Sequence, residues 1–281
     1  MARFIERIGK MEKLHKIFSP GFPVQSYRKM GSGPVIVLLH GFPEDGGLWS
    51  GIWDGLCEKF KIIVPDLPGS GGSVWGADNI TIEQMAESVK HILDHEEVDM
   101  AVIAGHSMGG YTAIAFAELY PERLKGLSMV HSLASADTEE KKETRRKSIE
   151  LIRKGGKEPF VKQKIPNLFA KAYKEQHPDV IKQQTERGLK LQSHNLVAFY
   201  NAMINRPDRT RILSELGCPV QWIIGEEDGI ASPENVLKQS KLAIVNFVSI
   251  YESCGHMSML ENPEKLVKDL KDFSSYCFRL S

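Results

Sequence analysis

Val102-Ile103-Ala104-Gly105-His106-Ser107-Met108-Gly109-Gly110 is an apolar run that stops at glycine, presents one serine and restarts in small residues. A strand has to reverse into a helix here within a few residues. Gly105 and Gly109 lack side chains where that reversal would crowd the backbone, so Ser107 is expected at the apex of a sharp, strained turn with its hydroxyl exposed. A bare Gly-x-Ser-x-Gly also arises by chance, and a strand-to-helix turn with an idle serine has the same sequence. Context argues for a nucleophile: Asp99 to Ala104 reads as a short buried strand and Tyr111 to Tyr120 as a helix, the order such a turn requires.

The same alternation extends on both sides. Pro34 to Leu39 is an uninterrupted apolar run, as in a strand covered on both faces, and it empties into the turn His40-Gly41-Phe42-Pro43-Glu44. Leu48 to Phe60 has helical spacing, and Lys61 to Val64 gives a second buried strand ending in DLPGSGGS. Thr81 to Glu97 is an amphipathic helix with a polar cap, and Leu124 to Val130 is a further strand. Strands and helices alternating from 34 to 130 build one parallel sheet through right-handed crossovers. Residues 1 to 33 suit a hairpin or edge strands and carry no assigned chemistry.

From about Ala134 to about Glu215 no buried-strand run occurs; the segment is charged, helical in pattern and broken at Pro166 and Pro178. The rhythm resumes at Pro219 to Ile224, passes a helix near Pro233 to Lys241, and gives a last strand at Val245 to Tyr251 and a helix at Leu266 to Phe273. A structureless loop of roughly 80 residues is foreign to a compact domain, so 134–215 is expected to be a helical cap between core segments 1–133 and 216–281. It is too thin in apolar residues to bury a separate core. Phe160, Phe169, Tyr173, Phe199, Tyr200 and Met203 are expected to turn inward, and Phe169, Tyr173, Tyr200 and Met203 are candidate substrate contacts.

Composition excludes several classes. With 36 basic and 36 acidic side chains the net charge is zero, which argues against a nucleic-acid partner or an electrostatically held membrane surface. Cys57, Cys218, Cys254 and Cys277 form no Cys-x-x-Cys pair, so neither a zinc ribbon nor a disulfide framework is expected. The start, MARFIERIGKMEKL, lacks the continuous apolar stretch of a signal peptide, and a soluble cytoplasmic protein is the expectation. DLPGSGGSV meets neither nucleotide-loop pattern, since position 74 is valine and no Lys-Ser/Thr pair follows. His91 and His95 lie one helical turn apart without the glutamate of a zinc-binding His-Glu-x-x-His, so no metal is expected.

Serine alone is a poor nucleophile and needs a base, and the base needs an orienting group. Open α/β sheets place their chemistry at the carboxyl ends of strands, which restricts the search to the loops there. After Pro219 to Ile224 comes Gly225-Glu226-Glu227-Asp228-Gly229, and after the last strand comes Glu252-Ser253-Cys254-Gly255-His256-Met257. The order serine, acid, histidine selects His256 as base and Asp228 as acid, with Gly229 leaving the chain free to turn the carboxylate. His106 should point away from its neighbour at so tight a turn; His131 ends a central strand and either lines the site or is a satisfied buried histidine. The oxyanion of an acyl-transfer intermediate would be held by the backbone N–H groups of Met108 and Phe42, Pro43 having none to give.

Taken together, His40-Gly41-Phe42-Pro43, Asp66-x-Pro68-Gly69-x-Gly71-x-Ser73, Gly105-His106-Ser107-Met108-Gly109-Gly110, Gly225-x-x-Asp228 and Gly255-His256 resemble the α/β-hydrolase superfamily, in its capped serine esterase, haloperoxidase-like and C–C hydrolase branches. The resemblance spans roughly residues 34 to 276. It implies a mostly parallel eight-stranded sheet flanked by helices, a helical cap inserted after the sixth strand, and activity without a cofactor. Epoxide hydrolases share the His-Gly-Phe-Pro turn but use an aspartate at the elbow, whose ester water can reopen; Ser107 would form an inert ether. C–C hydrolases often carry tryptophan after the catalytic histidine, where this chain has Met257. The expected activity is hydrolysis of a small or medium carboxylic ester through an acyl-enzyme. C–C bond or lactone hydrolysis, and a slow-turnover ligand receptor of the same fold, are the alternatives.

Overall fold

The computed structural model describes residues 13–76 and 79–279; of the stretch 1–33 expected to form a hairpin or edge strands, residues 1–12 lie outside the described residues and the rest forms an edge hairpin. Strands β1 (His15–Ser19), β2 (Phe22–Met30), β3 (Val35–Leu39), β4 (Lys61–Pro65), β5 (Ala101–His106), β6 (Leu124–Val130), β7 (Val220–Gly225) and β8 (Asn246–Tyr251) form one sheet. Their order is β1-β2-β4-β3-β5-β6-β7-β8. The amino-terminal hairpin is antiparallel and joins β4 antiparallel; every other pairing is parallel. The central strands are covered on both faces, which is why β3 and β5 are buried along their whole lengths and read as unbroken apolar runs.

Helices α1 (Trp53–Cys57), α2 (Ile82–His95) and α3 (Met108–Leu119) belong to the first crossovers. A capping box starts α2: Thr81 accepts from the Gln84 N–H, and the Gln84 side chain accepts from the Thr81 N–H. Ten residues of α3, Met108 to Ala117, are buried, and small residues dominate there because the helix lies flat on the sheet. Leu48 to Phe60 is not the single helix its spacing suggests. A 3-10 turn at Gly46–Gly51 precedes the short α1, since Gly46, Gly47, Gly51 and Gly55 each cost about 1 kcal/mol in a continuous helix. Strand β5 begins two residues later than expected and runs through Gly105 to His106, so the reversal takes place at Ser107 itself.

Between β6 and β7 lie α4 (Glu139–Arg153), α5 (Lys157–Lys164), α6 (Lys171–Gln176), α7 (Pro178–Lys190), α8 (Ser193–Asn205) and α9 (Thr210–Glu215). Pro166 sits in a 3-10 turn and Pro178 at the first position of α7, where a missing N–H is harmless. The apolar residues of this insertion, among them Ile149, Phe160, Ile165, Leu196 and Phe199, join the same hydrophobic cluster as the sheet. The insertion therefore shares the core of the main domain. Helices α10 (Pro233–Ser240), α11 (Ser258–Glu261) and α12 (Pro263–Arg279) complete the chain.

Candidate active site

The elbow is built by glycines. Ser107 has φ +53° and ψ −114°, a conformation a non-glycine residue holds only when its surroundings impose it. Its N–H donates to Val130 O at 3.0 Å, and its carbonyl accepts from Gly110 N–H at 2.9 Å and from Ser132 Oγ at 2.8 Å. A Cβ on Gly105 would collide with the Gly109 carbonyl oxygen, and one on Gly109 with Leu39 O. A Cβ on Gly41 would come to 2.7 Å from His106 Nδ1 and 3.0 Å from Ser107 Cβ. Bare backbone at 41 thus lets the 40–44 turn close onto the elbow and brings the next peptide, that of Phe42, beside the serine. Neither the Phe42 nor the Met108 N–H has an acceptor among the described residues.

The loop after β7 carries Asp228, and the loop after β8 carries His256, on neighbouring parallel strands. His256 Nδ1 donates to Asp228 Oδ2 at 2.8 Å, and both side chains are almost wholly buried. Oδ1 accepts from the N–H groups of Ile230 at 2.8 Å and Ala231 at 2.9 Å. Burial pushes the Asp228 carboxyl up, but the charge of His256 and the hydrogen bonds from two imidazoles hold it well below the usual carboxylate range. It is an anion at neutral pH and bonds Nδ1 of His256, so Nε2 of that ring is not engaged by the carboxylate.

His131 is the second imidazole. At φ +50° it leaves the end of β6, and its Nδ1 donates to the same Oδ2 at 3.0 Å, with its side chain fully buried. Burial pulls its pKa below 6.5, so it is neutral, and its Nε2 is buried with no partner. Nδ1 of His131, Nδ1 of His256 and Oδ2 of Asp228 have the spacing of two hydrogen bonds. A tetrahedral zinc would need all three donors near 2.0–2.2 Å from one point, taking the place of both N–H protons. The donor set suits a proton relay better than a metal.

His106 is anchored by its Nε2, which donates to the His256 carbonyl oxygen at 2.8 Å, and burial holds its pKa well below 6.5. His40 Nε2 accepts from Leu67 N–H at 3.0 Å and tethers the 40–44 turn to the 66–73 loop. Sequence reasoning missed Glu261, whose carboxylate accepts from the N–H groups of Gly255 at 3.0 Å and Met257 at 2.9 Å, on either side of His256. It accepts also from Ala170 N–H at 2.9 Å in the insertion. The available signal was an acid five residues beyond a loop histidine.

The insertion's aromatic residues divide. Tyr200 stacks on Phe42 with ring centroids 4.6 Å apart, and Phe160 and Phe199 lie 6.3 and 6.4 Å from the same ring. Phe169 stacks on Tyr173, whose hydroxyl donates to Leu260 O at 2.9 Å, so this pair ties the insertion to helix α11, just after His256. Met203 is buried in α8, where its carbonyl accepts from Arg206.

A family model described as the alpha/beta hydrolase fold matches residues 34–263. Among solved structures, a thermophilic esterase from Thermogutta terrifontis, described as malate bound, is 31% identical with a TM-score of 0.89, covering 94% of this chain and 99% of that one. The enol-lactonase from Burkholderia xenovorans shares the fold at TM-score 0.86 and 22% identity, covering 93% and 100%. A pimeloyl-[acyl-carrier protein] methyl ester esterase from Aeromonas hydrophila is 36% identical over 38% of this chain and 41% of its own length. A soluble epoxide hydrolase from Corynebacterium is 35% identical over 39% of this chain and 40% of its own. The matches span less than half the length of these curated relatives. With an eight-stranded sheet, a serine on a glycine-built turn at its carboxyl edge and a family match over most of its length, the chain belongs to the α/β-hydrolase fold family.

Proposed function

We propose that the protein is a serine hydrolase that cleaves a small or medium carboxylic ester through an acyl-enzyme. The observation that carries this reading is the 2.8 Å hydrogen bond between His256 Nδ1 and an ionised, buried Asp228, at the same sheet edge as the strained Ser107. Ser107 Oγ attacks the ester carbonyl as His256 Nε2 takes its proton; the N–H groups of Phe42 and Met108 hold the oxyanion. The imidazolium then protonates the leaving alcohol. Water, deprotonated by His256, frees the acid and restores the serine. The insertion acts as the cap, with Tyr200 and Phe160 against Phe42 shaping the acyl pocket. The esterase likeness at 31% identity over nearly the whole of both chains supports ester hydrolysis.

A fluorophosphonate probe should label the wild-type protein at Ser107 and leave Ser107→Ala unmodified. Absence of labelling on folded wild type would overturn the reading. Hydrolysis of nitrophenyl esters should rise between pH 5 and 8, because the base acts only when neutral; a flat profile contradicts the mechanism.

A further inference from the structure

The inner side of the cap gathers positive charge that its acids do not balance. On α4, Lys141 and Arg145 are one turn apart and share a face. Lys141, exposed, donates from Nζ to Ile230 O at 3.1 Å, on the loop whose Ile230 and Ala231 N–H groups hold Asp228. Arg145 Nε bonds Asp137 Oδ2 at 2.6 Å, and its guanidinium lies over the Tyr200 ring, 5.3 Å from the centroid. Asp137 is no private counter-ion, since Arg206 bonds its other oxygen at 2.9 Å.

On α5, Lys164 is one turn beyond Phe160, the residue resting on Phe42 and Tyr200, so it faces the same floor. Lys164 is half-buried and forms no ion pair among the described residues. Burial and the charges of Arg145 and Lys141 push its pKa down to about 8. Arg145 and Arg206 thus share the single carboxylate of Asp137, and Lys164, which feels the charges of Arg145 and the exposed Lys141, has no counter-ion of its own among the described residues. A partly desolvated cluster of like charge is unfavourable unless something of opposite sign sits in it, and the guanidinium NH1 and NH2 of Arg145 make no bond within the described residues.

We propose that this cap cluster is an anion subsite, and that the substrate carries, away from its scissile ester, a carboxylate bound by Arg145 and Lys164. This rests on the hydrolase reading and narrows it: the natural ester is a half-ester of a dicarboxylic acid or an acylated hydroxy acid. The fork of Arg145 suits a carboxylate, and Lys164 supplies a second, mobile donor. Tyr200, with its pKa raised to about 12 by burial, stays neutral and adds no competing charge.

The test uses the full-length protein at low ionic strength in a pH-stat. One arm compares monomethyl esters of C4 to C8 dicarboxylic acids with neutral isosteres ending in an isopropyl group. The other compares O-acetyl hydroxy acids with O-acetyl alcohols of equal length, which tells whether the anion belongs to the acyl or the alcohol side. In at least one arm and length, kcat/KM should favour the anion by about tenfold or more, expressed in KM and shrinking as salt is added, as one charge-assisted contact allows. Arg145→Gln and Lys164→Met should each lower that preference by about tenfold, and two variants on different helices guard against one failing to fold.

Neutral esters hydrolysed as well as or better than anionic ones at every length in both arms would overturn the proposal. So would a preference unchanged in both variants. Calorimetric titration with the free C4 to C8 dicarboxylates separates this failure from that of the hydrolase reading. Binding lost in Arg145→Gln supports the subsite even if no ester is turned over, and turnover of neutral esters without dicarboxylate binding sinks the subsite alone.

Discussion

His131 and His256 donate their Nδ1 hydrogens to one and the same oxygen of Asp228, at 3.0 and 2.8 Å. The other oxygen is occupied by two backbone N–H groups, so the carboxylate cannot rotate and its bond to His256 is fixed in direction. His131 is on this account a positioning residue. It also draws negative charge that would otherwise be directed wholly at His256. Replacing it by phenylalanine should lower kcat by about tenfold, from loss of one charge-assisted hydrogen bond. The acid limb of kcat/KM should move to higher pH, since an undivided carboxylate favours the imidazolium more. His131→Asn, which can still donate, should restore most of the wild-type profile. Unchanged profiles in both variants would show that His131 only fills space.

Gly41 should be as sensitive as a triad residue although its only role is to be small. In Gly41→Ala the new methyl meets His106 Nδ1 and Ser107 Cβ, and relief requires the 40–44 turn to lift from the elbow. The Phe42 N–H moves with it. Loss of one oxyanion donor is worth ~3 kcal/mol of barrier, so kcat should fall on the order of 100-fold with KM little changed. Steady-state kinetics on a nitrophenyl ester, beside a melting curve showing that the variant is folded, would check this.

Glu261 holds the peptides on both sides of His256 and reaches the cap through Ala170. Glu261→Ala leaves buried N–H groups without an acceptor, at about 1–3 kcal/mol each before relaxation. We expect a melting temperature lower by several degrees and a clear loss of kcat. Glu261→Gln, with one oxygen to serve three donors, should fall between the two.

Stability should peak near pH 6.5 and decline on both sides. Burial holds His40, His106 and His131 below their usual 6.5, so the unfolded chain takes up protons that the folded one refuses. Their contribution is complete above 6.5 and is lost as pH falls through the lower folded values, at up to about 1.4 kcal/mol per pH unit for each. Glu44 acts in the opposite sense. It is buried with Arg187 at 3.6 Å but gives that guanidinium's short bond to Asp45, and burial raises its pKa from 4.5 to about 8. Its contribution is complete below 4.5 and is lost as pH rises through 8. Below 6.5 three histidines outweigh one carboxyl; above it Glu44 acts alone among these groups. Melting curves from pH 5 to 8 test the peak, and Glu44→Gln should flatten the alkaline side whatever its effect on the maximum.

The sheet was legible wherever a strand is covered on both faces, because burial on both sides removes the polar residues that blur a boundary. β6 spans Leu124–Val130 as expected despite Lys125 and Ser128, and β3 differs from its apolar run only at Pro34. The two loops holding Asp228 and His256 were legible for the same reason: they follow strands. The 46–57 stretch was not, since helical spacing of apolar residues says nothing of the glycines between them. Neither was the bond of His131 to Asp228, 97 residues apart, nor the reach of Glu261 to backbone. Contacts to main-chain atoms across loops leave no period in a sequence, and cations drawn from separate helices look, residue by residue, like an ordinary solvated surface.

The backbone of His256 is gripped at both ends: its N–H by the carbonyl of Leu168, 2.7 Å away in the cap, and its carbonyl by His106 beside the nucleophile. Gly255 is pressed against the same segment of the insertion at Phe169 and Ala170. If the 134–215 insertion is the cap proposed above, it is not an interchangeable module laid over a finished domain. A chimaera given the 134–215 segment of another relative would have to offer a carbonyl where Leu168 has one, or the backbone of His256 would lose its moorings. Exchange of specificity within this lineage should proceed by replacing side chains on α4, α5 and α8 while the 165–170 turn stays as it is.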